Sequence, residues 1–257
     1  MPMLDEAMRS APLWMIGIAF FGSLFAASWL GTFLRRMIEP ASEHDTTSAG
    51  YLLSAALALL GLLIAFTFSL ALDRYDTRRA MVVTEGNTVS TAWLRATLIE
   101  GPEGDALRDA MRHYVDIRLM LPDAASPRAI EAEAAQAQKL VWSRLHAALP
   151  HVDPPIGATL VNATTEMFDA AASRKYERIA QIPGRVLEVV GLYALMSAAI
   201  IGYVLGRRGD MRHATVSIVL YLLLSLALTL ILDLDRPWSG DIRVSQQPMI
   251  DARAAMN

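Results

Sequence analysis

Cysteine is absent from this sequence of 257 residues. Its absence excludes disulfide bonds, thiolate nucleophiles and cysteine-ligated zinc or iron–sulfur centres. The five histidines are scattered, with no i, i+4 pair and no H-E-x-x-H motif, so no metal site is expected. The motifs G-x-S-x-G, G-x-G-x-x-G and Walker A are missing as well. The sequence therefore predicts no catalytic residues, no cofactor and no enzymatic activity.

A strong charge of one sign is also lacking. The chain has 23 lysines and arginines against 26 aspartates and glutamates, which gives a net charge of -3. Such a balance produces no field that would select nucleic acid, so no nucleic-acid partner is expected. Apolar residues, in contrast, make up 54% of the chain, where a soluble domain has about 45–50%. The excess is concentrated in a few blocks and indicates a membrane protein.

Four runs contain no charged residue and are long enough to cross the roughly 30 Å hydrocarbon core of a bilayer as helices. They cover residues Ala11–Leu34, Ala49–Leu72, Val189–Gly206 and Ala214–Leu232. The sequence thus predicts an all-α polytopic membrane protein with four transmembrane helices. The lipid bilayer is its first predicted partner.

A helical soluble insertion is predicted between spans two and three. No proline occurs between Pro40 and Pro102, so span two should continue as a stalk over residues 73–100. Helices with apolar stripes follow, the first of them capped by Asp105; they cover Ala106–Leu121, Arg128–Leu149 and Ile156–Ile179. The predicted divisions are a transmembrane hairpin (1–72), a helical domain (73–183), a second hairpin (184–232) and a tail (233–257). Within the tail, residues 242–244 alternate and predict an edge strand or an extended segment.

Small residues recur every four positions on spans one and three. The two stripes are Ala19, Ser23, Ala27 and Gly31 on the first, and Ala194, Ala198, Gly202 and Gly206 on the second. Small side chains let helix backbones approach closely within a membrane. Both spans are therefore predicted to pack tightly against other transmembrane helices.

Hydroxyl groups form a row on span four. Ser217, Tyr221, Ser225 and Thr229 are four residues apart, and Asp233 continues the row. Polar groups facing lipid would lack partners, so the row faces other helices or water. One interpretation makes Ser225 and Thr229 the lining of a hydrated path. In the other, hydroxyls bond a neighbouring helix or their own backbone carbonyls.

Charged residues mark the ends of spans three and four, namely Glu188, Asp233, Asp235 and Arg236. They could form a charged vestibule, or a gate latched by an ion pair between Arg236 and a carboxylate. Alternatively, they end the helices and pair with Arg185 or with each other.

Two charged residues on the stalk, Glu85 and Arg95, lie ten positions apart with threonines on nearly the same face. If stalks associate around an axis, these side chains are candidates for lining a central cavity. Alternatively, they belong to an exposed face or to a buried hydrogen-bond network between helices.

The distribution of basic residues predicts the orientation. Four spans place both termini and the insertion on one side, and that side carries eleven arginines and lysines near span ends, against five on the other. Basic residues are enriched on the cytoplasmic side of membrane proteins. We therefore expect an inner-membrane protein whose termini and helical domain are cytoplasmic.

Three segments carry a family resemblance: FTFSLALDRYDTRRAMVVTEGNTVSTAWLRATLIEG, LRDAMRHYVDIRL and LDLDRPWSGDIRVSQQPM. They cover about a third of the chain, and it resembles the bestrophin-like family of bacterial membrane proteins. The resemblance implies an ion channel related to bestrophins, which are pentameric and conduct anions, and hence a homo-oligomer. It also implies a pore neck on span two, for which Leu62, Phe66 and Leu70 are the candidates. The acidic run that binds calcium in animal bestrophins is missing here. The competing hypothesis is a non-conducting scaffold or sensor whose helical domain binds a cytosolic protein.

Overall fold

The structure is a computed structural model, and it describes residues 11–38, 46–123, 127–205, 211–237 and 240–257. Within these ranges the chain is helical and contains no strand. The described residues form eight α-helices, which are α1 Leu13–Ile38, α2 Thr46–Ala96, α3 Pro102–Met120, α4 Pro127–Ala148, α5 Pro154–Ile179, α6 Gly184–Leu205, α7 Met211–Asp235 and α8 Gln247–Ala254. The predicted all-α fold class is confirmed.

The chain forms two compact units. The first, here called the membrane unit, consists of Met1–Tyr75 and Gln181–Arg243, and the second, the helical unit, of Asp76–Ala180 and Val244–Asn257. Helix α2 contributes to both, because it continues without interruption for 51 residues. The predicted stalk is therefore the C-terminal part of one long helix that begins as span two.

The described residues include four stretches of helix that are long and apolar enough to cross a membrane, as predicted. In the membrane unit, buried side chains from α1, α2, α6 and α7 form one apolar cluster that includes Leu24, Leu60, Ala198 and Tyr221. Arg35 and Arg36 lie in the last turn of α1, and α7 ends at Asp235 just before Pro237. The uncharged runs of spans one and four thus become helices whose C-terminal ends lie at charged residues or shortly before proline.

Helices α1 and α6 touch through their backbones. A Cβ atom built on Gly31 would overlap the carbonyl oxygen of Ala199 and lie 2.8 Å from its carbonyl carbon. A Cβ on Gly202 would lie 2.6 Å from the carbonyl carbon of Ser28. The hydroxyl of Thr32 donates to the Gly202 carbonyl oxygen over 3.0 Å. The small-residue stripes thus serve the close packing predicted for them, although Gly206 lies outside the described residues.

The start of α3 corrects one prediction. The helix begins at Pro102, four residues before the predicted start, and Gly101 at its N-cap adopts a φ of 86°. No side chain caps it. Asp105 instead pairs with Arg108 one turn later, at 2.5 Å. Proline is favoured in the first turn of a helix, because a backbone N–H at that position has no partner within the helix. Pro102 therefore marks the start of α3.

The core of the helical unit is built from α2, α3, α4, α5 and the C-terminal segment. Trp93, Met111, Tyr114, Val141 and Met167 are among its buried members.

The last residues of the chain belong to this core. Met249 and Met256 are fully buried in it. The carbonyl oxygen of Pro248 approaches α2 so closely that a Cβ on Gly86 would lie 2.8 Å from it. Residues 242–244 are not a strand, and helix α8 was not predicted.

Candidate functional site

Helix α2 has one face that none of the described residues covers. Leu62, Phe66 and Leu70, the predicted neck residues, are 50%, 61% and 48% exposed. Leu60, on another side of the same helix, is 1% exposed and packs among the other helices. At 100° per residue the three exposed side chains lie about 40° apart in turn around the helix. They form a continuous apolar stripe along the membrane part of α2.

A carboxylate lies at the end of this stripe. Asp73 follows Leu70 by three residues and is exposed. Relative to Leu62 at 0°, Leu70 lies at about 80° and Asp73 at about 20°, so Asp73 falls within the arc of the stripe. In the sequence, Asp73 is only the first residue of the predicted stalk, directly after span two. The helical spacing from Leu62 was the signal that could have identified it.

Glu85 is completely buried within the helical unit. Its Oε1 accepts a hydrogen bond from Arg118 Nε at 2.7 Å, and its Oε2 accepts one from Arg174 Nη1 at 2.5 Å. Burial alone would raise the pKa of this carboxyl, but the two guanidinium groups outweigh burial and hold the pKa of Glu85 below its ordinary value. The structure therefore places Glu85 in a buried ion-pair network, one of the alternatives that the sequence left open.

The same network includes a second carboxylate. Glu131 lies 3.8 Å from Arg118 Nη1 and 3.6 Å from Lys175 Nζ, and it also accepts from Arg178. Burial lowers the pKa of Arg178 to about 10. Arg174 additionally donates to the side chain of Gln246 near α8. The ion pairs connect α2, α3, α4 and α5, and the hydrogen bond to Gln246 adds the C-terminal segment of the helical unit.

Arg95 is not part of this network. Its Nη1 donates to the carbonyl oxygen of Thr159 on α5 over 2.6 Å. Glu85 and Arg95 therefore use separate partners, although both lie on α2. Arg118 and Arg174 could not be identified from the sequence, because a buried charged residue on an amphipathic helix has the same local sequence pattern as an exposed one.

The hydroxyl groups of the row on α7 form hydrogen bonds within the membrane unit. Ser225 Oγ donates to the carbonyl oxygen of Gly17 on α1 at 2.6 Å, and Thr229 Oγ1 donates to the carbonyl oxygen of Ser225 at 2.7 Å. The Tyr221 hydroxyl lies 3.5 Å from the carbonyl oxygen of Ala198 on α6. These contacts correspond to the packing interpretation of the row.

The charged boundary residues separate into two groups. Asp233 Oδ1 accepts from the backbone N–H of Asp241 at 2.6 Å, and Asp235 Oδ1 accepts from that of Ile182 at 2.9 Å. Arg236 Nη1 donates to the carbonyl oxygen of Ala11 at 2.9 Å.

Glu188 belongs to the other group. It is exposed and pairs with Arg185 at 3.2 Å. Near the end of α7, backbone groups are therefore bound by the side chains of Asp233, Asp235 and Arg236. Glu188, in contrast, forms an ion pair at the surface. Within the described residues, no group of three or more acidic or histidine side chains could hold a metal ion.

Comparisons with known proteins agree with this architecture. No curated protein sequence matches the chain. A crystal structure of a bacterial bestrophin homologue from Klebsiella pneumoniae with one substitution is similar, with a TM-score of 0.72 and 12% identity over 95% of this chain and 99% of the other. A second crystal structure of a bacterial bestrophin homologue from that organism gives a TM-score of 0.70 and 12% identity over 92% and 98%. The model of the bestrophin-like domain matches residues 20–249. This chain therefore belongs to the bestrophin-like family.

Proposed function

We propose that several copies of this chain assemble around an axis along α2 and conduct ions through the membrane along that axis. The observation that supports this proposal is the uncovered apolar stripe of Leu62, Phe66 and Leu70 on the membrane part of α2. The fold, which this chain shares with bestrophin homologues, supports it further. We assign a neighbouring copy of this chain as the partner that covers the stripe.

Within the part of the chain that the structure describes, the four membrane helices of a single copy are closely packed. Helices α1 and α6 touch through their backbones at Gly31 and Gly202, and at these positions there is no space for an ion between them. The apolar cluster among the four helices contains fully buried side chains such as Leu24 and Ala198. The hydroxyls of Ser225 and Thr229 already bond to backbone carbonyl oxygens. Conduction therefore requires a path between copies.

The side chains of the stripe on α2 are suitable for a gate that closes the pore. Leucine and phenylalanine side chains that converge on an axis form a hydrophobic constriction, which can close by expelling water. Helices that surround an axis present the same residue at the same depth, so Phe66 would form one apolar ring. Of the three stripe residues, Phe66 has the largest side chain and is the most exposed in the single chain. We assign it the narrowest ring.

We further propose the inner membrane as the location, with both termini and the helical unit in the cytoplasm. The excess of basic residues at the span ends on that side supports this orientation, by eleven to five. A protein partner in the cytosol would bind the helical unit in the competing function, a non-conducting scaffold or sensor. The flux experiment that follows separates the two functions.

Replacing Phe66 with alanine is expected to raise ion flux through liposomes that contain the purified protein. The smaller side chain widens the apolar ring and lets water remain in it. We expect an increase on the order of tenfold, which corresponds to a barrier lower by about 1.4 kcal/mol. Phe25→Ala is the matched control, because Phe25 is similarly exposed but lies on α1. The measurement is the rate of chloride and sodium release from loaded vesicles.

Two results of the flux experiment would contradict the proposal. One is that liposomes with the purified protein release neither chloride nor sodium. If that protein also binds a cytosolic protein in a pull-down, the scaffold function is favoured. The other is an equal flux change in Phe66→Ala and Phe25→Ala. The size of the protein in detergent, measured by light scattering, is an independent check, because a monomer would exclude an axis between copies.

A further inference from the structure

We propose that the exposed face at the end of α1 binds an anionic phospholipid, with Arg36 contacting the lipid phosphate and Trp29 and Phe33 contacting an acyl chain. These three residues are here called the α1 lipid face. The site is separate from the stripe on α2, and it does not depend on whether the protein conducts ions.

The two consecutive arginines at the end of α1 have different surroundings. Arg35 Nη1 donates to the carbonyl oxygens of Tyr203 at 3.0 Å and Val204 at 2.8 Å, in the last turn of α6. Carbonyl groups at the end of a helix have no partner within that helix, so Arg35 supplies one. Arg36 is exposed, and none of the described residues forms an ion pair or hydrogen bond with it. Its guanidinium group is therefore available to a ligand outside the protein.

Trp29, Phe33 and Arg36 lie on one narrow arc of α1. Relative to Trp29 at 0°, Phe33 lies at about 40° and Arg36 at about −20° around the helix. Trp29 and Phe33 are 65% and 45% exposed, and their rings stack with centroids 5.9 Å apart. The α1 lipid face thus combines an exposed aromatic surface with a cation about one turn beyond it.

The length of α1 places Arg36 at the depth of the lipid headgroups. The helix rises about 35 Å from Leu13 to Arg36, or about 32 Å across the membrane at a typical tilt of about 20°. The hydrocarbon core is only about 30 Å thick, and the headgroup layers extend it to about 40–45 Å. Met37 and Ile38, which follow Arg36, are apolar and exposed. The guanidinium group therefore lies beside apolar side chains at the membrane boundary, where lipid phosphate is the anion at hand.

The chemistry of the α1 lipid face favours an anionic lipid over a zwitterionic one. A guanidinium group can bind a phosphate through two parallel hydrogen bonds. Aromatic side chains are enriched at this depth, where the rings contact the upper part of an acyl chain. The ammonium group of phosphatidylcholine cancels the charge of its phosphate, whereas phosphatidylglycerol keeps a net negative charge. Arg35, one residue away, adds a second positive charge that attracts it.

Native mass spectrometry of the full chain in detergent tests the proposal. The protein is titrated with phosphatidylglycerol or with phosphatidylcholine that has the same acyl chains, and the affinity of the first bound lipid is measured. The unsubstituted protein should bind phosphatidylglycerol more tightly. Arg36→Gln should lower that affinity about fivefold, the effect of one arginine near an anionic surface, and leave the affinity for phosphatidylcholine unchanged. Arg36→Lys keeps the charge and should retain most of the preference.

Two further variants separate the headgroup from the acyl chain. Phe33→Ala removes a chain contact and should weaken the binding of both lipids by the same factor. Arg144→Gln is the matched control, because Arg144 is exposed but lies on α4 in the helical unit. It should bind both lipids as the unsubstituted protein does.

Three outcomes would overturn the proposal. The first is an unchanged affinity for phosphatidylglycerol in Arg36→Gln, and the second is an equal loss in Arg36→Gln and Arg144→Gln. The third is a changed oligomer size of Arg36→Gln in light scattering with unchanged lipid affinity, which would assign the face to a second copy of this chain. If Arg36→Gln does not fold, Phe33→Ala decides, since unchanged affinities for both lipids would contradict a lipid on this face.

Discussion

Substituting Glu85 with glutamine is expected to destabilise the helical unit by about 3–5 kcal/mol, the cost typical of breaking a buried ion pair by removing one partner. The carboxylate is fully buried and lies 2.7 Å from Arg118 Nε and 2.5 Å from Arg174 Nη1. Glutamine keeps the size of the side chain but removes its charge. Two buried guanidinium groups would then lose their shared counter-charge.

The measurement is the melting temperature of the full chain in detergent, followed by circular dichroism and by protease resistance of residues 76–180. Asp109→Asn is the control, because its ion pair with Arg112 is at the surface, where such pairs contribute only about 0–1 kcal/mol. Equal melting temperatures for Glu85→Gln and Asp109→Asn would show that Glu85 is not buried among these arginines.

Lowering the pH is a second test of how much Glu85 contributes to the stability of the fold. The pKa of Glu85 is held below its ordinary value in the folded chain, so its ionised form stabilises the fold above the unfolded pKa, about 4.3. As the pH falls through the folded pKa, the carboxyl takes up a proton and this stabilisation is lost. The difference in stability between the unsubstituted chain and Glu85→Gln should therefore narrow below about pH 4.

The second large effect is expected at Gly31. Alanine there would place a methyl group against the carbonyl group of Ala199, which is backbone and cannot move away as a flexible side chain would. Helices in a membrane associate mainly through close packing, because lipid is as apolar as their side chains. Gly31→Ala should force α1 and α6 apart and cost about 1–3 kcal/mol, the usual range for overpacking.

Gly22→Ala is the matched control for this substitution. Gly22 lies on the same helix, and nothing is within 4 Å of a Cβ built on it. Alanine favours helix over glycine by about 1 kcal/mol, so this control should leave the protein unchanged or slightly more stable. The temperature at which the protein begins to aggregate on heating in detergent is measured for both variants. A lower aggregation temperature for Gly31→Ala than for Gly22→Ala supports the close approach of α1 and α6, and equal temperatures would exclude it.

The membrane fold was predictable because the bilayer imposes a simple rule. An uncharged run of about 20 residues is a spanning helix in lipid, whatever surrounds it. The small-residue stripes that include Gly31 and Gly202 were also visible, since close backbone packing depends on side-chain size alone. Both features are local in the sequence.

The network around Glu85 could not be predicted in the same way. Its partners Arg118 and Arg174 are 33 and 89 residues away in the chain. A charged residue is usually solvated, and only the tertiary packing of α2, α3 and α5 removes water from this one. Helix α8 was missed for a related reason, because its eight residues are too few to show a helical period and Met249 is buried by distant helices.

The absence of cysteine allows the most direct test of the central claim, that ions pass along the stripe of α2. Phe66→Cys can be treated with a charged, water-soluble thiol reagent while flux is recorded, and Phe25→Cys on α1 serves as the control. Reaction requires a thiolate, and therefore water at the side chain. The account predicts that the reagent blocks flux through Phe66→Cys and leaves Phe25→Cys conducting. Unaltered flux in a conducting Phe66→Cys protein would contradict it.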